Sequence, residues 1–280
     1  MRIRLDIAYD GSHFRGWARQ PGLRTVQGCI EEAMGRVLRS GVRLVVAGRT
    51  DAGVHATGQV AHVDIDDVVW AAATAPRRGH EASDPVAVFA RRVQGALGAY
   101  SDVAVTRSTI APEGFDARFS AVWRRYAYRV CDLDGGYDPL ERHRTTSVRA
   151  RLDVAGMDAA ARSLVGLHDF AAYCKARDDA TTIRTLLEFD WRRADDGVLV
   201  ANIKADAFCH SMVRALVGAC VAVGEGRLDV EDVVALRDAG ARTSEFTVLA
   251  ARGLTLVEVG YPADALLAAR AEQTRARRDG

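Results

Sequence analysis

Gly48-Arg49-Thr50-Asp51-Ala52-Gly53-Val54-His55-Ala56 gathers an arginine, an aspartate and a histidine into nine residues between two apolar runs, 42–47 and 59–65. A polar, glycine-bearing connection between strands is a good place for chemistry, because the flanking elements hold the loop still. Asp51 has two readings. As an Asx-turn residue it ties down its own loop, a common task for Asp beside Gly. As a nucleophile or general base it needs a neighbouring cation to keep it ionised, and Arg49 stands two residues away. His55, four residues on, either completes an acid–base pair or fills a hydrogen bond inside the loop.

Two later stretches also carry reactive side chains. Around Tyr126 the order Trp123-Arg124-Arg125-Tyr126-Ala127-Tyr128-Arg129 interleaves rings and guanidiniums, with Arg118 between Phe115 and Phe119 upstream. That mixture suits stacking on a base while gripping phosphates. It also describes an ordinary sheet surface. Arg214 sits among apolar and small residues in 207–223, where it either snorkels to water or reaches a buried anion. No GxGxxG, GxxxxGK[ST] or HExxH occurs, so the motifs support neither a nucleotide cofactor nor a catalytic zinc.

The elements that must position these residues read from periodicity. Residues 2–9 alternate Ile3, Leu5, Ile7 and Tyr9 with polar neighbours, a half-buried strand. Thr25 caps a helix to about Arg39, with Val26, Cys29, Ile30, Ala33, Val37 and Leu38 on its apolar face and Gly41 as its stop. With the strand at 42–47 this makes a split strand–helix–strand unit. A weak helix is predicted over 66–78, a loop over 76–84, and a helix over 86–97 that opens on Pro85. Strands follow at 103–105 and 123–130. The second half gives a helix at 158–165, an irregular 168–177, and two strands, 182–191 and 198–205, joined at Asp195-Asp196-Gly197. Helices at 207–223 and 230–239 and a strand at 255–259 complete the reading.

The chain has 280 residues with 38 basic against 37 acidic side chains. Near-neutrality argues against a simple basic coat for nucleic acid but not against a local positive cleft. All basic residues but Lys175 and Lys204 are arginines, whose planar fork suits phosphates. Five scattered cysteines without a CxxC speak against a disulfide scaffold or a cysteine zinc site and for a reducing cytoplasm. No apolar run is long enough for a membrane span, and no secretory leader is visible.

Taken together, several blocks resemble the tRNA pseudouridine synthase A family. The nine residues 48–56 are similar to its signature. Tyr9-Asp10-Gly11 with Phe14-Arg15-Gly16-Trp17 and Thr25-Val26-Gln27-Gly28 resembles its opening, and Phe115-Asp116-Ala117-Arg118-Phe119-Ser120-Ala121 with Arg125-Tyr126-Ala127-Tyr128 its central block. Ala207-Phe208-Cys209-His210-Ser211-Met212-Val213-Arg214 with Gly218 matches its late helix. The blocks stand in family order over about 260 residues. The stretch 97–103 lacks the family's proline, and 74–83 looks altered, which bears on the choice among neighbouring uridines.

The resemblance implies an α+β protein of pseudouridine synthase fold: two pseudo-symmetric lobes of mixed or antiparallel sheet with flanking helices and a cleft between them. The lobes would be 1–131, with the aspartate loop, and 132–263, followed by a charged tail at 264–280, disordered or helical. It implies isomerisation of uridine in the anticodon stem-loop of tRNA, positions 38–40, after base flipping. Asp51 would be the catalytic carboxylate, Tyr126 would stack on the target base, and Arg214 would pair with the carboxylate. Arg49, His55, Arg118, Arg124, Arg125 and Arg15 would contact RNA. It implies a cytoplasmic homodimer with tRNA as partner, and no metal, nucleotide or other cofactor. A metal-dependent phosphoesterase using Asp51 and His55 is the rival from residue chemistry alone, and it lacks the second carboxylate cluster that two-metal work needs.

Overall fold

The computed structural model describes residues 1–75, 84–99, 101–175, 181–241 and 243–279. The chain forms two compact units. One comprises Met1–Val122 and Glu258–Gly280, the other Trp123–Val257. The division falls nine residues ahead of the 131/132 boundary expected from the sequence, so the strand bearing Tyr126 belongs to the second unit.

In the first unit the alternation of residues 2–9 forms β1 (Arg2–Tyr9), with Ile3, Leu5, Ile7 and Tyr9 all buried. Helix α1 (Val26–Leu38) starts where Thr25 accepts a hydrogen bond from the Gly28 amide and ends at Arg39 in the left-handed region. Its buried face includes Val26, Ile30, Ala33, Met34 and Leu38; Cys29 and Val37 lie only at its margin. Strands β2 (Leu44–Val46) and β3 (His55–Asp64) follow. Val63 of β3 pairs with Ile3 on one side and Leu44 on the other, both antiparallel, so β3 fills the gap of a split strand–helix–strand unit. The glutamate of α1 that faces this unit, Glu31, is buried and accepts from the Leu44 amide at 2.9 Å and from Gln27 at 2.7 Å.

Helices α2 (Asp67–Thr74) and α3 (Pro85–Leu97) begin on Asp66 and Asp84, whose carboxylates accept amides of the first turn. The loop expected over 76–84 lies, except for Asp84, outside the described residues, as does the end of the helix expected over 66–78. Strand β4 (Val103–Ile110) runs antiparallel to β1 and is longer than its sequence pattern suggested, because pairing with β1 extends it beyond the apolar core of 103–105.

The second unit combines a mixed sheet with helices. Strand β5 (Trp123–Cys131) pairs in parallel with β6 (Thr146–Ser147). Helix α4 (Val154–Ser163) precedes β7 (Gly166–Asp169), a short strand whose last two residues overlap the stretch read as irregular. β7 pairs with β8 (Ile183–Arg193), and β8 with β9 (Leu199–Ala205), which pairs with β5, all antiparallel. Helices α5 (Met212–Gly224) and α6 (Val230–Ala239) follow; α6 carries a capping box between Asp229 and Asp232 and stops at Gly240. Strand β10 (Leu254–Gly260) starts in this unit and finishes in the first.

Contrary to the scattered look of the cysteines, Cys174 and Cys209 are joined as a disulfide, with Cα atoms 5.7 Å apart and a sequence separation of 35. It is a single cross-link between segments distant in sequence, a pairing that spacing motifs do not reveal.

Asp132 is the second unit's most committed carboxylate. Its side chain is fully buried and takes both forks of Arg193 at 2.9 Å, plus the Gly135 and Leu152 amides. Arg193 above all holds its pKa down from 3.8 to about 2. A depressed carboxylate stabilises the fold above its unfolded pKa and loses that contribution as pH falls through the folded one. Chemical denaturation is therefore expected to show wild type more stable than Asp132→Asn by about 1–2 kcal/mol at neutral pH, with the gap closing as pH drops from about 4 to 2. A gap that stays constant across that range would refute the assignment.

The chain then returns to the first unit. Helix α7 (Leu267–Asp279) forms from the charged tail, and Leu267 and Ala271 are buried although little else of it is apolar. Ser120 donates to the Leu267 carbonyl at 3.1 Å and Arg275 pairs with Asp116 at 2.8 Å. Two small apolar anchors and two polar ties are enough to seat it.

Candidate active site

Asp51 lies half-buried on the connection between β2 and β3, and the loop is fixed from beneath. Tyr9, on the buried face of β1, places its hydroxyl 2.8 Å from Thr50 Oγ1. Gln59, fully buried in β3, donates to the Tyr9 hydroxyl at 3.3 Å and to the Gly48 carbonyl at 2.9 Å. Burial pushes the Tyr9 phenol up to about 12, so its proton stays in place for this network. The Trp17 amide donates to the Thr50 carbonyl at 3.0 Å, and the Val54 amide closes the turn on the Asp51 carbonyl at 3.2 Å. Thr50, directly before Asp51, is thereby tied to β1 and to the Trp17 segment, and Gly48 to β3.

Glycines let the backbone pack this closely. A Cβ on Gly11 would stand 2.1 Å from the Val54 carbonyl oxygen. One on Gly16, whose φ is +93°, would stand 3.0 Å from the Thr50 oxygen. Backbone thus rests directly on backbone behind the aspartate.

His55 is buried. Its Nδ1 is 3.0 Å from the Gly11 amide, which donates to it, and 3.1 Å from Asp10 Oδ1. These contacts tie His55 to the segment that follows β1, outside its own loop. Arg49 and Arg15 are exposed, and Arg15 rides on a loop held by its own amide on the Arg24 carbonyl. That loop is anchored in turn by a two-pronged Arg24–Asp102 pair at 2.7 Å, with the Arg24 guanidinium 4.2 Å from the Phe14 ring centre. Arg118 is exposed in the 115–120 turn of the same unit.

In the second unit Tyr126 lies on the buried face of β5, and its ring meets Phe208 edge-on at 5.2 Å. The segment 207–211, read as the start of a helix, is not helical; α5 begins at Met212 after Ser211 in the left-handed region. The Lys175 amide on the His210 carbonyl at 2.9 Å and the Cys174–Cys209 bond hold this segment in its own path. Arg214 consequently falls in the first turn of α5. Every other residue of that helix is buried, so its one cation stands out against an apolar surround. Arg214 Nε donates to the Leu249 carbonyl at 2.7 Å, and its own carbonyl accepts from the Leu249 amide at 3.2 Å. Gly218, one turn on, makes room for that segment: a Cβ there would stand 2.0 Å from the Thr247 carbonyl oxygen.

The two arginines beside Tyr126 diverge, because successive strand residues face opposite ways. Arg124 donates to the Asp206 carbonyl at 2.9 Å. Arg125 lies on the other face, opposite Lys204, and bonds Glu188 at 2.6 Å and Asn202 at 2.9 Å. Glu188, held down to about 2 first by Lys204 and then by Arg125, answers both cations. Sequence reading missed Tyr9, Gln59 and Thr50 as supports of the Asp51 loop. A glutamine inside an apolar strand was the visible signal, since a buried amide must find partners. Among the described residues no group of three or more His, Cys, Asp and Glu side chains could hold a metal, and no helix is long and apolar enough to cross a membrane.

A family model described as tRNA pseudouridine synthase matches residues 160–262. Curated proteins named tRNA pseudouridine synthase A match almost end to end. The one from Leifsonia xyli is 61% identical over 98% of this chain and 96% of its own length. Those from Frankia casuarinae and Mycobacterium leprae are 54% and 48% identical, over 99% and 98% of this chain and 95% and 94% of theirs. A solved archaeal box H/ACA sRNP Nop10–Cbf5 complex aligns over 82% of this chain and 53% of that one, at 10% identity and a TM-score of 0.29, too loosely to argue from. A fold with this aspartate loop and these full-length relatives defines an RNA-modifying isomerase class. The chain belongs to the tRNA pseudouridine synthase A family.

Proposed function

We propose that this protein converts uridine to pseudouridine in tRNA, acting on the anticodon stem-loop at positions 38–40. The observation that carries the reading is identity of about half or more, along nearly the whole chain, to relatives named for that reaction. The reaction breaks the N1–C1′ bond, turns the base and rejoins it through C5; the C5 proton leaves and N1 gains one. Product and substrate are isomers, so no redox partner or phosphoryl donor enters the balance.

Asp51 is assigned the central role, as a carboxylate that adds to the base or to C1′ or drives a glycal route. Its support is a loop anchored at Gly48 and Thr50 by buried partners, the kind of rigid mounting that holds a reacting group in register. Tyr126 is assigned to stacking on the target base and Arg214 to countering carboxylate charge; both assignments rest on family likeness. Arg49, Arg15 and Arg118, all exposed, are assigned to phosphates. Arg124, Arg125 and His55 remain candidates for RNA contact, though each is engaged within the protein as described. A cytoplasmic homodimer belongs to the same reading.

The experiment is tritium release from [5-³H]uridine-labelled tRNA transcripts in EDTA, with U38, U39 and U40 replaced singly by cytidine. Release that drops on one or more replacements supports the reading and gives the site choice. Release indifferent to all three refutes the positions, and none from any transcript refutes the activity.

A further inference from the structure

The turn between β4 and β5 is mostly buried, presents Arg118 at its exposed point and is fastened at several places. Asp116, buried, accepts from the Arg118 and Phe119 amides at 2.9 Å each through one oxygen. Its other oxygen takes Arg275 of α7 at 2.8 Å. Ser120 Oγ accepts from the Asp116 amide at 3.0 Å and donates to the Leu267 carbonyl at the start of α7. Ala117 is held at both ends, its amide on His62 Nδ1 at 3.0 Å and its carbonyl on the Tyr261 hydroxyl at 2.8 Å.

The side chains continue the pattern. The Phe119 ring carries the Arg118 guanidinium at 5.2 Å and that of Arg275 at 4.9 Å. Helix α7 is seated against the turn so closely that a Cβ on Gly114 would stand 2.6 Å from Ala268 Cβ. Arg275 pairs with Asp116, and Arg118 is exposed above the Phe119 ring. The turn itself is partly core, with Phe115, Ala117 and Ala121 buried, while α7 adds only Leu267 and Ala271 among its apolar residues, so the polar ties carry much of its seating.

We propose that α7, through Arg275 and Asp116, sets the pose of Arg118 for the tRNA backbone, making Arg275 a positioning residue of the RNA interface rather than a contact to RNA. The inference rests on the tRNA reading above. A guanidinium gripping phosphate discriminates little by itself, but one fixed in direction helps orient the duplex and so acts in binding before chemistry.

The test is steady-state kinetics on unmodified tRNA for Arg275→Ala, Arg118→Ala, the double variant and Arg275→Lys, with thermal melts to confirm folding. Arg275→Ala is expected to raise KM about 5-fold, the scale of a half-exposed ion pair, with kcat held. The double variant is expected to be no worse than Arg118→Ala, because Arg275 acts through Arg118. Arg275→Lys, which keeps a cation beside Asp116 and Phe119, is expected to restore most of the loss. Faster amide exchange at Arg118 and Phe119 in Arg275→Ala is the matching signature in the free protein. An unchanged KM in Arg275→Ala, or losses that multiply in the double variant, overturns the inference while leaving the activity standing. No product from the wild type overturns the activity, and the inference with it.

Discussion

Asp51→Asn is expected to abolish pseudouridine formation, by at least about 10⁴-fold in single-turnover tritium release, while tRNA affinity and melting temperature stay at wild-type values. The amide has the same shape as the carboxylate, and the loop is fastened at points other than that side chain. Its fastening points are Tyr9 on Thr50, Gln59 on Gly48 and the Trp17 amide on the Thr50 carbonyl. What changes is the ability to share an electron pair with carbon, which an amide lacks. Filter binding and a thermal melt beside the release assay separate chemistry from folding. Turnover within about 10-fold of wild type would remove Asp51 from the reaction. Loss of binding in parallel with turnover would instead make it a structural or RNA-contacting residue.

Gly11→Ala is expected to damage the same loop from behind. The added carbon would sit 2.1 Å from the Val54 oxygen and 2.5 Å from its carbonyl carbon, both backbone atoms that no rotamer change can move. Either the end of β1 or the 51–54 turn must shift. Displacement of a reacting group by about 1 Å costs on the order of 100-fold in rate, and overpacking costs about 1–3 kcal/mol in stability. The control is Gly22→Ala. That glycine also lies in a loop of the first unit, at φ +70°, but nothing stands within 4 Å of its missing Cβ. It is expected to lose about 1 kcal/mol of stability from backbone strain and to keep its activity. Equal activity losses in the two variants would show that loop strain in general, rather than contact with the 51–54 turn, governs the rate.

Much of this was legible in the sequence where a signal is local. Thr25 marks the start of α1, and Asp195-Asp196-Gly197 turns β8 into β9. The Asp51 loop announced itself by residue types. Features created by pairing across the chain stayed hidden. β7 is four residues long and is a strand only because β8 lies beside it. Residues 207–211 have a helical pattern, but the ties at Cys209 and His210 draw them out of it. Tyr9 read as one more inward residue of β1; its hydroxyl acquires a task only when Thr50 and Gln59 arrive from 41 and 50 residues away. Arg125 and Arg124 are neighbours in sequence whose surroundings differ because a strand turns them apart.

The first unit is sewn shut by the far end of the chain: the Val122 amide on the Gly260 carbonyl, Ser120 on Leu267, and Asp116 on Arg275. During synthesis residues 123–257 therefore emerge and can complete their unit before residues 258–280 reach the first. The part that carries the aspartate begins first and finishes last, so a ribosome that stops short of the final helix releases a chain whose aspartate-bearing unit is still open.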